Sequence, residues 1–313
     1  MAPAAPPLLA IVGSTASGKS DLALAVARHV PVEILVADSR QVYRGMDVGT
    51  ATPDAAARTA APHHLVDLVD PDEPFTVAQW VAAARALLPE IAARGRLPLV
   101  VGGTGLYVTS LLAGHDYASQ PWSPEVRARL AAELEAEGLD VLAARLARLA
   151  PAVAARIDLR NPRRVVRALE RAEAGDGGEV SPTTRPYPGR VALVGLDRPR
   201  QVIAARISKR ASAMWESGLL DEVRALLAAG YGPDLLPMTG HGYREAVRYL
   251  AGESSRVEAL ESMVRRTRQY AKRQATWFRR DPRIEWLAAG DGPADATPLV
   301  ERARSIADGL VGS

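Results

Sequence analysis

The chain has 313 residues, 48% of them apolar, no cysteine and a formal net charge of +3. That length exceeds an ordinary single core, so one α/β domain with an insertion or a second small domain is expected. Lack of cysteine excludes disulfides, thiolate metal sites such as a zinc finger, and Cys nucleophiles; the apolar stretches are too short to span a bilayer, and the Pro/Ala start lacks a signal peptide's basic and long apolar regions, which leads us to expect a cytoplasmic protein with no membrane partner.

The first apolar run, residues 8–12, leads into Gly13, Ser14, Thr15, Ala16, Ser17, Gly18, Lys19 and Ser20. This fits G-x-x-x-x-G-K-[ST], and residues 21–29 after it have a helical pattern. In that strand-loop-helix setting the glycines turn backbone N–H groups toward one anion, Lys19 adds a point charge, and Ser20 can hold Mg²⁺. The pattern identifies a phosphate cradle without naming the phosphorylated compound.

A second run, residues 32–37, ends at Asp38 within Asp38-Ser39-Arg40-Gln41-Val42-Tyr43. Carboxyl ends of strands border the ligand crevice of an open parallel sheet, so Asp38 is expected beside the cradle. It can serve there as a general base or hold Mg²⁺ through water; alternatively, it caps the next segment. His63 and His64 lack a second pair at metal spacing, so no zinc site is expected. A helix is expected over residues 76–93, then a strand over 97–101 that ends in Gly102-Gly103-Thr104-Gly105. No acid stands there to hold the metal of a hydrolytic nucleotide site, and the glycines leave room for a ligand, with Thr104 as the polar side chain.

From about residue 117 to 189 only helical patterns occur, at 124–137, 139–149 and 163–173, followed by a glycine-rich loop at 175–178 and a Pro-broken stretch at 181–188. These patterns predict a P-loop NTPase-like parallel sheet interrupted by a helical insertion, with domains at 1–116, 117–189 and 190–313. Inside the insertion, Asn161-Pro162 opens a helix among Arg156, Arg160, Arg163, Arg164 and Arg167. Strands resume at 191–196 and 284–287, separated by helices at 200–216, 221–229 and 254–278. Arg206 and Arg210, one turn apart, can address one anion together or pair with Glu216 or Asp221. Residues 265–280 carry seven basic side chains and no acid. On a helix Arg265, Arg268, Lys272 and Arg279 recur on one side, which suits a nucleic-acid backbone, while Trp277 and Phe278 read as core anchors.

Together these segments resemble the tRNA dimethylallyltransferase family, the likeness resting on residues 13–20, 38–51, Pro62-His63-His64-Leu65-Val66-Asp67, 101–107, Asn161-Pro162-Arg163-Arg164-Val165, Gly242-Tyr243-Arg244-Glu245 and Lys272-Arg273-Gln274 with Thr276-Trp277. The resemblance implies transfer of a dimethylallyl group from dimethylallyl diphosphate to the adenosine 3′ of the anticodon. It implies Asp38 as general base, Thr104 near the reacting centre, and residues 13–20 with Arg206, Arg210 and Mg²⁺ as the diphosphate site. It implies tRNA anticodon stem-loop contacts from Asp38, Ser39, Arg40, Gln41, Thr104, Arg127, Arg163, Arg164, Arg167, Thr239, Gly240, His241, Gly242, Tyr243, Arg244, Lys272, Arg273, Gln274, Thr276, Trp277 and Arg279. Departures from the family pattern are Ser14 in place of Pro, Ser20 in place of Thr, and a polar stretch before Gly242. A monomer is the default expectation. The competing readings are adenylate dimethylallyltransferase, a P-loop nucleoside or nucleotide kinase, and an RNA-binding P-loop protein without catalysis.

Overall fold

The computed structural model describes residues 5–114, 123–174 and 185–311. The chain begins β1 (Leu8–Val12), α1 (Lys19–Ala27), β2 (Val32–Ala37), α2 (Ala55–Ala60), β3 (His63–His64), α3 (Val77–Ala93), β4 (Leu97–Gly102) and α4 (Gly105–Ala113). Four helices follow, α5 (Pro124–Glu137), α6 (Leu139–Leu149), α7 (Pro151–Ala154) and α8 (Pro162–Glu173). The last part contains β5 (Val191–Asp197), α9 (Arg200–Glu216), α10 (Leu219–Ala228), a 3₁₀ turn at Pro237–Thr239, α11 (Tyr243–Leu250), α12 (Arg256–Phe278), β6 (Ile284–Ala288) and α13 (Thr297–Val311).

All strands run parallel in the order β3-β2-β4-β1-β5-β6. Every residue of β1, β2 and β4 is buried, as a parallel sheet covered on both faces requires. The chain moves outward from β1 on one side through β2 and β3 and on the other through β5 and β6. Loops after β1, β2 and β4 therefore meet at one end of the sheet, where the connections diverge. This places residues 13–20, Asp38 and Thr104 along one crevice.

Local chemistry sets the helix starts. Thr76 and Gln79 form a reciprocal capping box ahead of α3, and Ser255 with Glu258 does the same for α12. Asn161 accepts the Arg164 N–H, and Pro162 opens α8, as its sequence predicts.

The chain divides into two compact units, Met1–Ala113 with Tyr187–Ser313, and Gly114–Pro186. The second is helical where described, with Leu130, Leu142, Leu146, Val165 and Leu169 at its core. Start residues 1–4, the loop at 175–178, residues 181–184 and the expected boundary at 117 lie outside the described residues.

All five expected strands are present. Not expected from the sequence pattern are the two-residue β3, which extends the sheet edge beside β2, and the helices α2, α4, α7, α11 and α13. α4 was obscured because its entry, Gly102-Gly103-Thr104-Gly105, reads as a turn; Thr104 then accepts the N–H groups of Tyr107 and Val108 to start the helix. The first helix begins at Lys19, two residues before the expected start, which brings the P-loop lysine into its first turn.

Candidate active site

Residues 13–20 connect the carboxyl end of β1 to α1. Gly13 and Gly18 have φ of 146° and 98°, and Ala16 occupies the left-handed region at 62°. A β-carbon on Gly18 would run into Ala294, so both conformation and space require glycine there. Three side chains distant in sequence grip successive backbone groups of the loop. Gln274 Oε1 accepts the Thr15 N–H at 2.7 Å, Arg206 Nε donates to the Ala16 carbonyl at 2.8 Å, and Arg198 Nε donates to the Ser17 carbonyl at 2.6 Å. The unfavourable Ala16 conformation is thus held in place by its surroundings. The opening N–H groups of α1, which have no acceptor within the helix, and its positive dipole end suit an anion.

Asp38 lies just beyond β2. Its Oδ1 accepts the Arg40 N–H at 2.9 Å, a turn that orients the carboxylate. The Ser39 N–H donates to Thr104 Oγ1 at 3.0 Å, while the Thr104 N–H donates to the Ala37 carbonyl at 3.1 Å. These two bonds join the ends of β2 and β4 and hold Thr104 beside Asp38.

Cations surround that carboxylate. Burial pulls the Lys19 ammonium down to about 8, opposed by the Asp38 charge and reinforced by Arg210. Arg210 is lowered by the same desolvation and also feels Asp38, and its Nη2 donates to the Thr50 carbonyl at 3.3 Å. Two desolvated cations sharing one carboxylate gain from an arriving anion. Arg206 reaches Asp21 at 3.7 Å instead of Glu216 or Asp221, the partners its sequence position offers, and Lys19 Nζ donates to the Ser14 carbonyl at 2.7 Å.

Several residues of this crevice were not singled out from sequence. Tyr270 on α12 has its phenol pushed up to about 12, chiefly by burial and also by Asp38, with Thr104, Arg40 and Gln274 opposing the rise. Tyr107 stacks on Trp80 at 4.8 Å, and its phenol is raised by burial, Tyr43 and Asp38. Arg198 is 7% exposed and directs Nη1 to the Ala289, Gly290 and Gly292 carbonyls. It stands just past β5, a strand-end position that could have revealed it. Glu222 accepts the N–H groups of Asp47, Val48 and Gly49, and nothing in its sequence setting suggests that role.

The expected RNA-facing residues divide into outward and inward sets. Arg265, Arg268, Lys272, Arg273 and Thr276 are exposed on α12, as its helical period requires, and Arg279 is exposed just past its end. Trp277 is also outside, 40% exposed, with Nε1 donating to Thr109 Oγ1 at 3.1 Å, so of the two expected core anchors only Phe278 is buried. One residue along a helix rotates by about 100°, and the buried line of Ala271, Gln274 and Phe278 leaves Trp277 on its flank.

Gln274 is therefore a correction. It is 5% exposed, with both amide atoms bonded to backbone, and is out of reach of a macromolecule. Tyr243 is another correction: it is 2% exposed, and its phenol donates to Glu222 at 2.5 Å. Gly240 and Gly242 are buried beside it, Thr239 and His241 are half-buried, and Arg244 is exposed. Gln41 donates to the Thr50 and Ala51 carbonyls of its own loop, while Arg40 donates to the Leu236 carbonyl.

Within the helical unit, Glu170 is 3% exposed and accepts from Arg127 through Nε and Nη2 at 2.5 and 3.0 Å, and from Arg167 at 2.9 Å. The Arg127 guanidinium thus orders helices within its unit. Arg163, Arg164 and Arg167 line a groove of about 440 Å³ with Arg156 and Arg171.

Among the described residues no three His, Cys, Asp or Glu side chains are grouped to hold a metal. Ser20 is exposed on the first turn of α1. One hydroxyl together with the oxygens of a bound diphosphate and water is a donor set that fits Mg²⁺, which is commonly held by few protein ligands. No helix among the described residues is long and apolar enough to cross a membrane.

The model of the IPP transferase family matches residues 41–281, and that of isopentenyl transferase matches residues 6–60. A tRNA dimethylallyltransferase of Roseiflexus castenholzii is 47% identical over 96% of this chain and 97% of its own, and one from Thermobifida fusca is 45% identical over 96% and 93%. Among solved structures, the tRNA isopentenylpyrophosphate transferase of Bacillus halodurans superposes with a TM-score of 0.72 at 36% identity, covering 98% of this chain and 97% of that one. A eukaryotic dimethylallyltransferase acting on tRNA gives a TM-score of 0.81 at 25% identity, covering 98% and 80%.

Proposed function

The chain belongs to the IPP transferase family, and from that membership we propose that it transfers a dimethylallyl group from dimethylallyl diphosphate to the exocyclic amine of the adenosine 3′ of the anticodon in tRNA, releasing diphosphate. The observation that carries the reading is the joining of Asp38 and Thr104 through the Ser39 N–H, beside two cations, Lys19 and Arg210, that both feel Asp38. An acceptor that must lose a proton and a donor that must lose an anion meet in such a site.

An adenine stacked in an RNA loop hides its amine, so the base must be splayed into the crevice. The amine lone pair is delocalised into the ring, which makes it a weak nucleophile. In the proposed step, nitrogen forms a bond to the allylic carbon as the carbon–oxygen bond breaks, the bonding pair leaves on diphosphate, and the amine proton passes to the Asp38 carboxylate. Thr104 Oγ1, fixed by the Ser39 N–H, orients the groups around that carboxylate.

Charge developing on the leaving diphosphate falls to the opening amides of α1 and Lys19, placed in advance by the grip on the loop, and to Arg210, which the Thr50 carbonyl holds from α9. Mg²⁺, which Ser20 would hold with diphosphate oxygens, adds positive charge at the leaving group when bound. Glycines at the end of β4, where a nucleotide-hydrolysing site would carry an acid, support alkyl transfer over phosphoryl transfer.

We assign tRNA contact to the exposed basic face of α12 and to the arginine-lined groove of the helical unit, which would take the anticodon stem-loop. One chain carries every group invoked, so the reaction is proposed for a monomer acting in the cytoplasm, where its tRNA substrate resides. The test is incubation with labelled dimethylallyl diphosphate, Mg²⁺ and either unmodified tRNA or AMP, alongside Asp38→Ala. Label in tRNA alone, lost in the variant, supports the reading; label in AMP or in neither refutes it.

A further inference from the structure

Gln274 faces inward from the same helix whose outer face is basic. Its Oε1 accepts the Thr15 N–H at 2.7 Å, and its Nε2 donates to the Gly103 carbonyl at 2.9 Å. One amide thus spans the loop after β1 and the loop after β4. Tyr270, one turn earlier on α12, lies near enough to Thr104 and Gln274 for both to oppose the rise of its phenol. A β-carbon on Gly103 would collide with Gln274 Nε2, so the glycine is what lets the amide approach.

We propose that Gln274 is a positioning residue, a strut that sets the separation between the diphosphate-binding loop and the Thr104–Asp38 reacting centre and ties both to α12. The inference rests on reading residues 13–20 as the diphosphate site. Its physical basis is the directionality of the amide: acceptor toward Thr15, donor toward Gly103. A carboxylate would lose the donor, and a thioether of similar volume loses both bonds. Alkyl transfer needs the nitrogen and the allylic carbon in line at about 3–3.5 Å, and a misplacement of about 1 Å costs on the order of a hundredfold in rate. A buried amide joining the two loops restrains their separation, which is the protein's share of that requirement.

The test uses inorganic pyrophosphate, tRNA and a double-mutant cycle on the full chain. Gln274→Met is expected to weaken pyrophosphate binding by about tenfold, to lower kcat more than it changes the KM for tRNA, and to leave tRNA affinity within about twofold of wild type. Gly103→Ala lies outside the P-loop yet drives its new methyl into the same amide. It is expected to weaken pyrophosphate binding too, and the double variant to bind as the worse single one does, because both act through one strut.

Loss of tRNA affinity with pyrophosphate binding intact would overturn the proposal in favour of a direct RNA contact. Additive losses in the cycle would overturn it as well. Should Gln274→Met fail to fold, Gly103→Ala alone still decides: an unchanged pyrophosphate affinity is contrary to the strut. The pyrophosphate readout does not depend on which group the protein transfers. Absence of prenyl transfer by the wild type would refute the proposed function while leaving this cycle to be read independently.

Discussion

Tyr243 donates its phenol to Glu222 at 2.5 Å, and the same carboxylate accepts the N–H groups of Asp47 and Val48 at 2.7 Å and of Gly49 at 3.1 Å. Four donors on one carboxylate fix the loop that descends from Asp38, and the Tyr243 ring packs so closely on Gly49 that a β-carbon there would collide with it. Glu222→Ala leaves three backbone donors and a phenol to find new partners, and is expected to cost about 2–3 kcal/mol in urea unfolding. Tyr243→Phe removes one charge-assisted bond and is expected to cost about 1.5 kcal/mol. A loss below 0.5 kcal/mol (roughly the surface-substitution range) for Glu222→Ala would contradict the clamp.

Lys19 gives a pH dependence whose sign is opposite for stability and for binding. Its folded value of about 8 lies below the ordinary 10.5, so between those pH values the unfolded chain holds more protons and this group adds stability as pH rises. Anion binding favours the charged form. Affinity for a diphosphate ester is expected to hold constant below pH 8 (about the free-site value) and then to fall by about tenfold per pH unit. Calorimetric titration with dimethylallyl diphosphate between about pH 7 and 9.5, where the ester's own last ionisation near pH 6 is complete, checks this; a flat profile would contradict it.

His241 packs at 5.2 Å on Tyr270, with Arg266, Arg273 and Arg40 acting against its protonation and Glu245 favouring it. Burial and the arginines hold its ring down to about 4, against 6.5 ordinarily. The unfolded chain then binds the proton more strongly, so stability present above pH 6.5 is lost as pH falls toward 4. His241→Phe keeps an aromatic ring without the titration and is expected to flatten this acid-side loss in urea unfolding at pH 4.5–7 (about the transition range). An unchanged slope would remove His241 from the account.

The outer face of α12 predicts an effect on RNA alone. Lys272→Ala is expected to reduce the slope of log affinity against log salt by about 1 for any tRNA, with melting unchanged. Fluorescence titrations at several salt concentrations check this, and an unaltered slope would remove Lys272 from the interface.

How much of this was legible in sequence follows from where each signal resides. The P-loop, Asp38 and Thr104 follow apolar runs directly, and a parallel sheet sends such strand ends to one crevice, so local pattern and topology sufficed. Arg163, Arg164 and Lys272 could be placed outward by helical period, but the same α12 segment held two errors. Gln274 reads as a polar surface residue, and only the spacing of Ala271, Gln274 and Phe278 along the buried line betrays it. Trp277 reads as core because aromatic rings usually bury, yet its indole N–H finds Thr109 at the flank. Glu222 and Arg198 act on backbone groups remote in sequence, and such partners become visible only when the chain has folded.

The product of one reaction tests the assignment of Asp38 and of the substrate most directly. Unmodified tRNA treated with the protein, dimethylallyl diphosphate and Mg²⁺ should be digested to nucleosides and mapped by mass spectrometry, with Asp38→Asn alongside. The account predicts a dimethylallyl group on the exocyclic nitrogen of the adenosine 3′ of the anticodon, formed at least about a hundredfold more slowly by the variant. A modification at another position, or one formed at the wild-type rate by Asp38→Asn, would contradict it.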